Sequence, residues 1–249
     1  MMGLVEKHVL DKIEADGIIH ITLLDPEKCS PETASEIAHD AEESGTAAIM
    51  VGGSTVTSTE HLDNLVKSMK KKVKIPIILF PNNVTGISKY ADAIWFMSLL
   101  NSSDPYFLTG AQVLGAPLIK KFGLEPIPLG YIIIGEGGAV SVIGRACPIP
   151  YDKPELAVAY ALAAQYFGMR FVYLEAGSGA KQTVPAEMIR MVKSLVDVTL
   201  IVGGGIQNGD QVKTIATAGA DIFVTGTITE KGGNLKEKIG ALIKCAKSN

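Results

Sequence analysis

Phe171-Val172-Tyr173-Leu174-Glu175-Ala176-Gly177-Ser178-Gly179 joins a short apolar run to a turn rich in glycine. A continuous apolar run of this length is typical of a strand buried on both faces of a parallel sheet. Similar units follow: Val198 to Val202 leads into Gly203-Gly204-Gly205, and Ile222 to Thr225 leads into Gly226-Thr227. Because glycine lets backbone N–H groups approach an anion closely, the two later turns predict a phosphate site.

Eight apolar runs bounded by turn residues occur along the chain, and each is a candidate strand. They are Ile18 to Leu24, Ala47 to Val51, Pro76 to Phe80, Ala93 to Leu99, Pro128 to Ile134, Phe171 to Leu174, Val198 to Val202 and Ile222 to Thr225. Helical periodicity separates most of them. It predicts a helix over Pro31 to Ser44 with Ser30 as N-cap, a second from Asp152, and a last one from Asn234.

The interval between Phe80 and Ala93 is too short for a full crossover helix. Eight strands alternating with helices, with this one exception, predict a modified (β/α)8 TIM barrel with a shortened or replaced third helix. We expect a single domain over residues 1–249, since no linker interrupts the pattern. An open doubly wound sheet is the alternative topology.

Composition excludes several classes of function. The chain has 249 residues, 47% hydrophobic content and a net charge of -3, so it can bury a full core and offers no basic surface for nucleic acid. Three unevenly spaced cysteines suggest neither a disulfide framework nor a zinc site, which is typical of a cytoplasmic protein. Charged residues in the first sixteen positions argue against a secretory signal, and no apolar run is long enough for a membrane span. Any membrane contact is therefore expected to be peripheral.

In a barrel, the residues just beyond the strand C-termini gather around one mouth. These are Asp25, Ser54, Asn101, Glu175, Gly203 to Gly205 and Gly226-Thr227. A carboxylate and a hydroxyl can hold Mg²⁺ with water and phosphate as further ligands, so Asp25 with Ser54 is a candidate metal site. Asp25 is equally well explained as a turn residue before Pro26.

Glu175 is the candidate for contact with a neutral polar part of the substrate. A carboxylate can accept hydrogen bonds from two hydroxyls and, when partly desolvated, can take a proton. The structural alternative is an ion pair with Arg170 or Lys181. Tyr173 would face the barrel interior and supply either a hydroxyl donor or packing.

Taken together, the motifs resemble the geranylgeranylglyceryl phosphate synthase family, which also includes bacterial heptaprenylglyceryl phosphate synthases. The matching segments are Ile21 to Lys28, Val51 to Thr55, Met97 to Ser102, Tyr173 to Gly179, Val202 to Ile206 and Val224 to Thr227. The resemblance spans nearly the whole chain, and its family fold is a barrel whose third helix is replaced.

The resemblance implies a Mg²⁺-dependent prenyltransferase of archaeal membrane lipid biosynthesis. Such an enzyme joins sn-glycerol 1-phosphate to an all-trans prenyl diphosphate by an ether bond and releases diphosphate. The expected donor is geranylgeranyl diphosphate, and the alternative is the heptaprenyl diphosphate of the bacterial members. It implies that Asp25 and Ser54 hold Mg²⁺ and that Asp25 and Glu175 are catalytic, with Glu175 either removing the proton of the attacking hydroxyl or only orienting the glycerol. The implied substrate-binding residues are Tyr173, Leu174, Glu175, Ala176, Gly177, Ser178, Gly179, Gly204, Gly205, Gly226 and Thr227.

Three further expectations follow. Trp95 and Tyr131 are candidates for the residue that limits the length of the prenyl chain. The family implies a homo-oligomer, a dimer or a hexamer, for which the apolar helix face within Tyr106 to Ile119 could serve. The rival enzyme class is a phosphosugar isomerase or aldolase on the same barrel, although no predicted strand carries the lysine that such chemistry uses.

Overall fold

A computed structural model describes residues 2–53, 55, 58–229 and 233–248, and its eight parallel strands form a closed barrel. The strands are β1 (Ile19–Leu24), β2 (Ala48–Val51), β3 (Ile77–Leu79), β4 (Ala93–Leu99), β5 (Glu125–Ile133), β6 (Phe171–Glu175), β7 (Thr199–Gly203) and β8 (Ile222–Thr225). Each strand pairs with the next, and β8 closes on β1 with Val224 opposite Ile21. The barrel prediction is confirmed, and the open doubly wound alternative is wrong.

Helices surround the barrel. They are α1 (Leu4–Asp16), α2 (Pro31–Glu43), α3 (Thr59–Lys70), α4 (Ala111–Phe122), α5 (Gly138–Ile143), α6 (Pro154–Tyr166), α7 (Ala186–Leu195), α8 (Gly209–Thr217) and α9 (Leu235–Ala246). Ser30 caps α2 through its side-chain oxygen, as predicted, and Asn234 caps α9 in the same way. The predicted start at Asp152 is wrong, because Pro154 takes the first position of α6 and Lys153 is its N-cap.

The helix that would follow β3, which is the third helix of a standard barrel, is replaced as predicted. Between β3 and β4 the chain forms only a short 3₁₀ helix, Val84–Gly86, where Asn83 Oδ1 accepts from the Thr85 N–H at 2.7 Å. A segment this short cannot cover a strand as a full helix does. The outer side of β4 therefore borders an open groove, which is described below.

α1 closes the N-terminal end of the barrel. Val5 and Val9 pack into the interior core, and the Glu125 carboxylate accepts from the N–H groups of Val5 and Glu6, both at 2.8 Å. Arg170, just before β6, pairs with the buried carboxylate of Glu6 (Nη2 to Oε2, 2.6 Å). The alternative interpretation of Glu175 as an ion-pair partner of Arg170 is therefore wrong, and the cavity described below lies at the opposite end of the barrel.

Within the residues that the structure describes, no helix is long and apolar enough to cross a membrane.

Candidate active site at the barrel mouth

A cavity of about 410 Å³ lies at the C-terminal ends of the strands. Eight of the predicted site residues line it: Asp25, Tyr173, Glu175, Ser178, Gly204, Gly205, Gly226 and Thr227. Tyr173 and Glu175 belong to β6 itself, and the other six residues follow β1, β6, β7 or β8. The barrel thus brings most of the predicted site together at one place.

Four predicted positions lie elsewhere. The side chains of Leu174 and Ala176 pack in the outer core between barrel and helices, because alternation along β6 turns Tyr173 and Glu175 inward instead. Gly177 donates its N–H to Glu175 Oε1, and neither Gly177 nor Gly179 is part of the cavity lining. Ser54 lies outside the described residues.

Asn101, another residue expected at the mouth, is buried and has a structural role. Its side-chain amide donates to the carbonyl groups of Ile133 and Cys147, both at 2.9 Å, and its Oδ1 accepts from the Ile133 N–H at 3.1 Å. These bonds tie the loop after β4 to the end of β5.

Glu175 is almost fully buried at the end of β6. Its Oε1 accepts from the Gly177 N–H at 2.6 Å. Burial raises the pKa of Glu175 above its usual range, while interactions with the Tyr173 hydroxyl and the Gly177 amide partly oppose this. A carboxylate held this way can bind a hydroxyl and accept its proton closer to neutral pH than an exposed one.

The glycines after β7 make room for these two side chains. A Cβ on Gly203 would lie 2.2 Å from Tyr173 Oη, and one on Gly204 would lie 2.4 Å from Glu175 Oε1. Gly204 also has a φ of +83°, which favours glycine. The turn after β7 therefore makes room for the Glu175 carboxylate and also lines the cavity. No local sequence pattern predicts this contact with Glu175.

The loops after β7 and β8, where the phosphate cradle is predicted, meet at the cavity. Gly204 and Gly205 from one loop and Gly226 and Thr227 from the other line the same cavity. Barrels commonly bind phosphate at this pair of loops. Below them, His20 Nε2 hydrogen-bonds Thr225 Oγ1 at 2.8 Å, and burial lowers the pKa of His20 to about 3, so a neutral imidazole supports the cradle.

Asp25 lies beyond the end of β1, which pairs with β8 in the closed barrel. Its Oδ1 accepts from the Glu27 N–H at 3.1 Å, and its Oδ2 is 3.7 Å from Lys28 Nζ. A Cβ on Gly53 would lie 2.4 Å from Asp25 Oδ1, so the carboxylate packs directly against the loop after β2. Across the described ranges, no group of three or more His, Cys, Asp or Glu residues is placed to hold a metal ion.

An apolar groove of about 90 Å³ extends from the mouth along β4. It lies between the 3₁₀ segment after β3 and α4, where a standard third helix is replaced. Its lining includes Val84, Ile87, Ile94, Trp95, Phe96, Phe107, Gly115 and Ile119. Pro81, Asn82, Met97, Tyr131 and Val140 line both the groove and the cavity, so the two form one continuous site.

A barrel with a phosphate-type cradle, a buried carboxylate and an adjoining apolar groove belongs to the class of (β/α)8 enzymes that act on phosphorylated substrates. The model of the PcrB family matches residues 10–246, and the chain belongs to this family. The family resemblance inferred from the motifs is thereby confirmed.

Named relatives agree with this assignment. The geranylgeranylglyceryl phosphate synthase of Pyrococcus horikoshii is 57% identical over 95% of this chain and 92% of its own, and that of Thermofilum pendens is 51% identical over 99% and 96%. A crystal structure of (S)-3-O-geranylgeranylglyceryl phosphate synthase from Thermoplasma acidophilum, in complex with sn-glycerol-1-phosphate, superposes with a TM-score of 0.95 at 42% identity, covering 99% of both chains. A thiamine phosphate pyrophosphorylase from Pyrococcus furiosus shares only the fold, at 13% identity and a TM-score of 0.60 over 93% of this chain and 96% of its own.

Proposed function

We propose that the protein is a prenyltransferase of membrane lipid biosynthesis that joins sn-glycerol 1-phosphate to geranylgeranyl diphosphate and releases diphosphate. The observation that carries this proposal is the continuity of a polar, carboxylate-bearing cavity with an apolar groove at one barrel mouth. One substrate must be small, polar and phosphorylated, and the other must carry an apolar tail. The named relatives make this same product class.

The acceptor occupies the cavity. Its phosphate lies against the backbone of Gly204, Gly205, Gly226 and Thr227, and its glycerol hydroxyls face Glu175, whose carboxylate lies beside the turn after β7. Tyr173 and the segment after Glu175 complete this half of the site. The sn-glycerol-1-phosphate bound in the Thermoplasma acidophilum relative supports this choice of acceptor.

The donor spans both compartments. Its diphosphate lies near Asp25 and Lys28, and its prenyl tail runs into the groove along β4. The curated relatives favour a geranylgeranyl chain over the heptaprenyl chain of the bacterial members. Trp95 and Tyr131 both line the groove; Trp95 lines the groove alone and can set its usable length, whereas Tyr131 lies where the groove meets the cavity.

The residues present fit a magnesium ion. Asp25 offers a carboxylate that is part exposed to the cavity, and a hard cation can take its remaining ligands from water and diphosphate oxygens. We propose Asp25 and Ser54 as the protein ligands of Mg²⁺. When bound, the ion supplies positive charge that stabilises the diphosphate leaving group.

Within this site, Glu175 orients the glycerol and accepts the proton of the 3-hydroxyl as it attacks. The apolar side chains of Leu23, Met97 and Val224 limit water at the reacting carbon, which protects the allylic centre from hydrolysis. Holding both substrates in one cavity supplies the larger part of the rate, because the reacting atoms meet in a fixed orientation.

The isomerase or aldolase alternative has no support in the site. None of the eight strands of the described barrel contains a lysine. That reaction also has no use for an apolar groove that opens into the cavity.

The test is a direct assay with labelled sn-glycerol 1-phosphate, Mg²⁺ and prenyl diphosphates of ten, twenty and thirty-five carbons. We expect the label to move into an organic-soluble product, with the twenty-carbon donor preferred and with loss of turnover on chelation. An Asp25→Asn variant should lose most turnover, and added Mg²⁺ should not restore it. Binding of the glycerol phosphate without any organic-soluble product would refute the transferase assignment.

A further inference from the structure

Three aromatic rings meet at the mouth of the barrel. We call Phe80, Tyr131 and Tyr173 the aromatic cluster; all three line the cavity. The ring centroids of Phe80 and Tyr131 are 5.2 Å apart, those of Tyr131 and Tyr173 are 5.2 Å apart, and those of Phe80 and Tyr173 are 5.8 Å apart. Tyr131 and Tyr173 stand opposite each other in the β5–β6 register, so the barrel itself fixes their positions.

The aromatic cluster lies where the two compartments join. Tyr131 lines both the cavity and the groove, as do its neighbours Met97 and Val140. A donor whose diphosphate is near Asp25 and whose tail lies in the groove must pass its first carbon through this junction. The reactive carbon of the donor is therefore next to the aromatic rings.

We propose that the aromatic cluster stabilises the positive charge that develops on the first carbon of the allylic donor. The proposal rests on the prenyl transfer proposed above. In that reaction the bond between this carbon and the diphosphate oxygen breaks, and its electron pair leaves with the diphosphate. The 3-hydroxyl oxygen of the glycerol phosphate forms the new ether bond, and its proton passes to the Glu175 carboxylate.

Electron-rich ring faces attract a cation most strongly where water is excluded. Tyr131 and Tyr173 are almost fully buried, and burial together with the nearby Glu175 carboxylate raises the pKa of each phenol well above its usual range. Both rings are therefore neutral phenols across the physiological range. The other residues that line both the cavity and the groove have no aromatic ring; they are Pro81, Asn82, Met97 and Val140.

The test uses fluorinated phenylalanines at position 80, because fluorine withdraws electron density from the ring face with little change of shape. We expect the single-turnover rate constant of ether formation to fall stepwise with each added fluorine, to a total of about 2- to 30-fold. The KM values of both substrates and the melting temperature should stay unchanged. The control is the same series at Phe171, a buried ring that packs on Trp95 inside the barrel and is not part of the cavity lining.

Variants at Tyr131 give a second measurement. Tyr131→Phe keeps the ring face and should retain most of the single-turnover rate, whereas Tyr131→Leu should lose about tenfold or more. A single-turnover rate that does not depend on fluorination at position 80 would overturn the role of the aromatic cluster while leaving the transferase intact. Failure of the wild-type protein to make any ether would instead count against the proposed function.

Discussion

Glu175 ends β6 with its carboxylate enclosed between two glycine-rich turns. One turn supplies the Gly177 amide as a hydrogen-bond donor, and the other supplies Gly204, which leaves space for the carboxylate because it has no Cβ. Desolvation therefore acts on a group that still keeps a backbone partner. This balance makes Glu175 a stronger base than an exposed carboxylate without leaving it unsatisfied.

We predict that Glu175→Gln lowers kcat by about 10²- to 10⁴-fold, because the amide keeps the shape of the side chain but cannot accept the proton. The wild-type rate should fall on the acidic side with a midpoint above the usual carboxyl range, since burial raises the pKa of Glu175 and protonation removes the base. The pH profile of kcat/KM for glycerol phosphate measures this. Glu155→Gln, at an exposed position of α6, is the matched control and should behave as wild type.

An unchanged acidic limb in Glu175→Gln would show that another group titrates there, and a full kcat would show that Glu175 only orients the glycerol.

Single residues differ in how far the sequence could locate them. Asp25 and Glu175 could be found because each directly follows an apolar run of the sequence, and strand ends of a barrel share one mouth. Phe80 and Gly203 could not, since their importance comes from contacts with Tyr131 and Tyr173 that no local pattern encodes. Asn101 has the same sequence context as the site residues but turns to the backbone of neighbouring loops.

At the level of elements, the replaced third helix and the groove are one feature. The interval after β3 was too short for a helix, and that could be counted directly from the sequence. The missing helix leaves a groove because side chains of α4 form the other wall, and the sequence does not show where α4 packs. Helix α5 could not be predicted either, because six residues are too few to show a helical period.

Gly115 on α4 is the position where the groove can be narrowed. It is buried against Ile87, and a Cβ there would lie 3.2 Å from Ile87 Cδ1. We predict that Gly115→Leu lowers kcat/KM for geranylgeranyl diphosphate by about 10- to 200-fold and that for geranyl diphosphate much less, because the larger side chain occupies space needed by a long tail. The KM for glycerol phosphate should not change.

Gly240→Leu provides the control for this experiment. Gly240 also lies inside a helix, α9, and a Cβ there meets no heavy atom within 4 Å. It should leave the donor preference as in the wild type, with the melting temperatures of both variants measured alongside. Equal loss for short and long donors in Gly115→Leu would mean that the tail does not run along α4.

On the scale of the whole molecule, the two ends of the barrel have different functions. α1 seals the N-terminal end through Glu6 and Glu125, and the mouth carries the site. The strand order and the alternation of helices could be read from the sequence, because buried parallel strands are continuous apolar runs. Which outer helix faces stay uncovered could not, since that depends on packing between distant elements.

The outer face of α4 remains uncovered in the monomer, with Val113 70% and Leu114 59% exposed. Exposed apolar side chains grouped on one helix are typical of an interface, and closed symmetric oligomers usually form through such self-complementary patches.

We propose that this face joins copies of the chain, as the family resemblance implied. A Val113→Glu, Leu114→Glu double variant should then sediment at the 26.3 kDa of one chain, whereas the wild type should sediment at a multiple of it. The matched control is Leu156→Glu on α6, a leucine that is 45% exposed and lies outside this face, and it should keep the wild-type mass. A wild type that sediments as a single chain, or a double variant that keeps the wild-type mass, would contradict this interface.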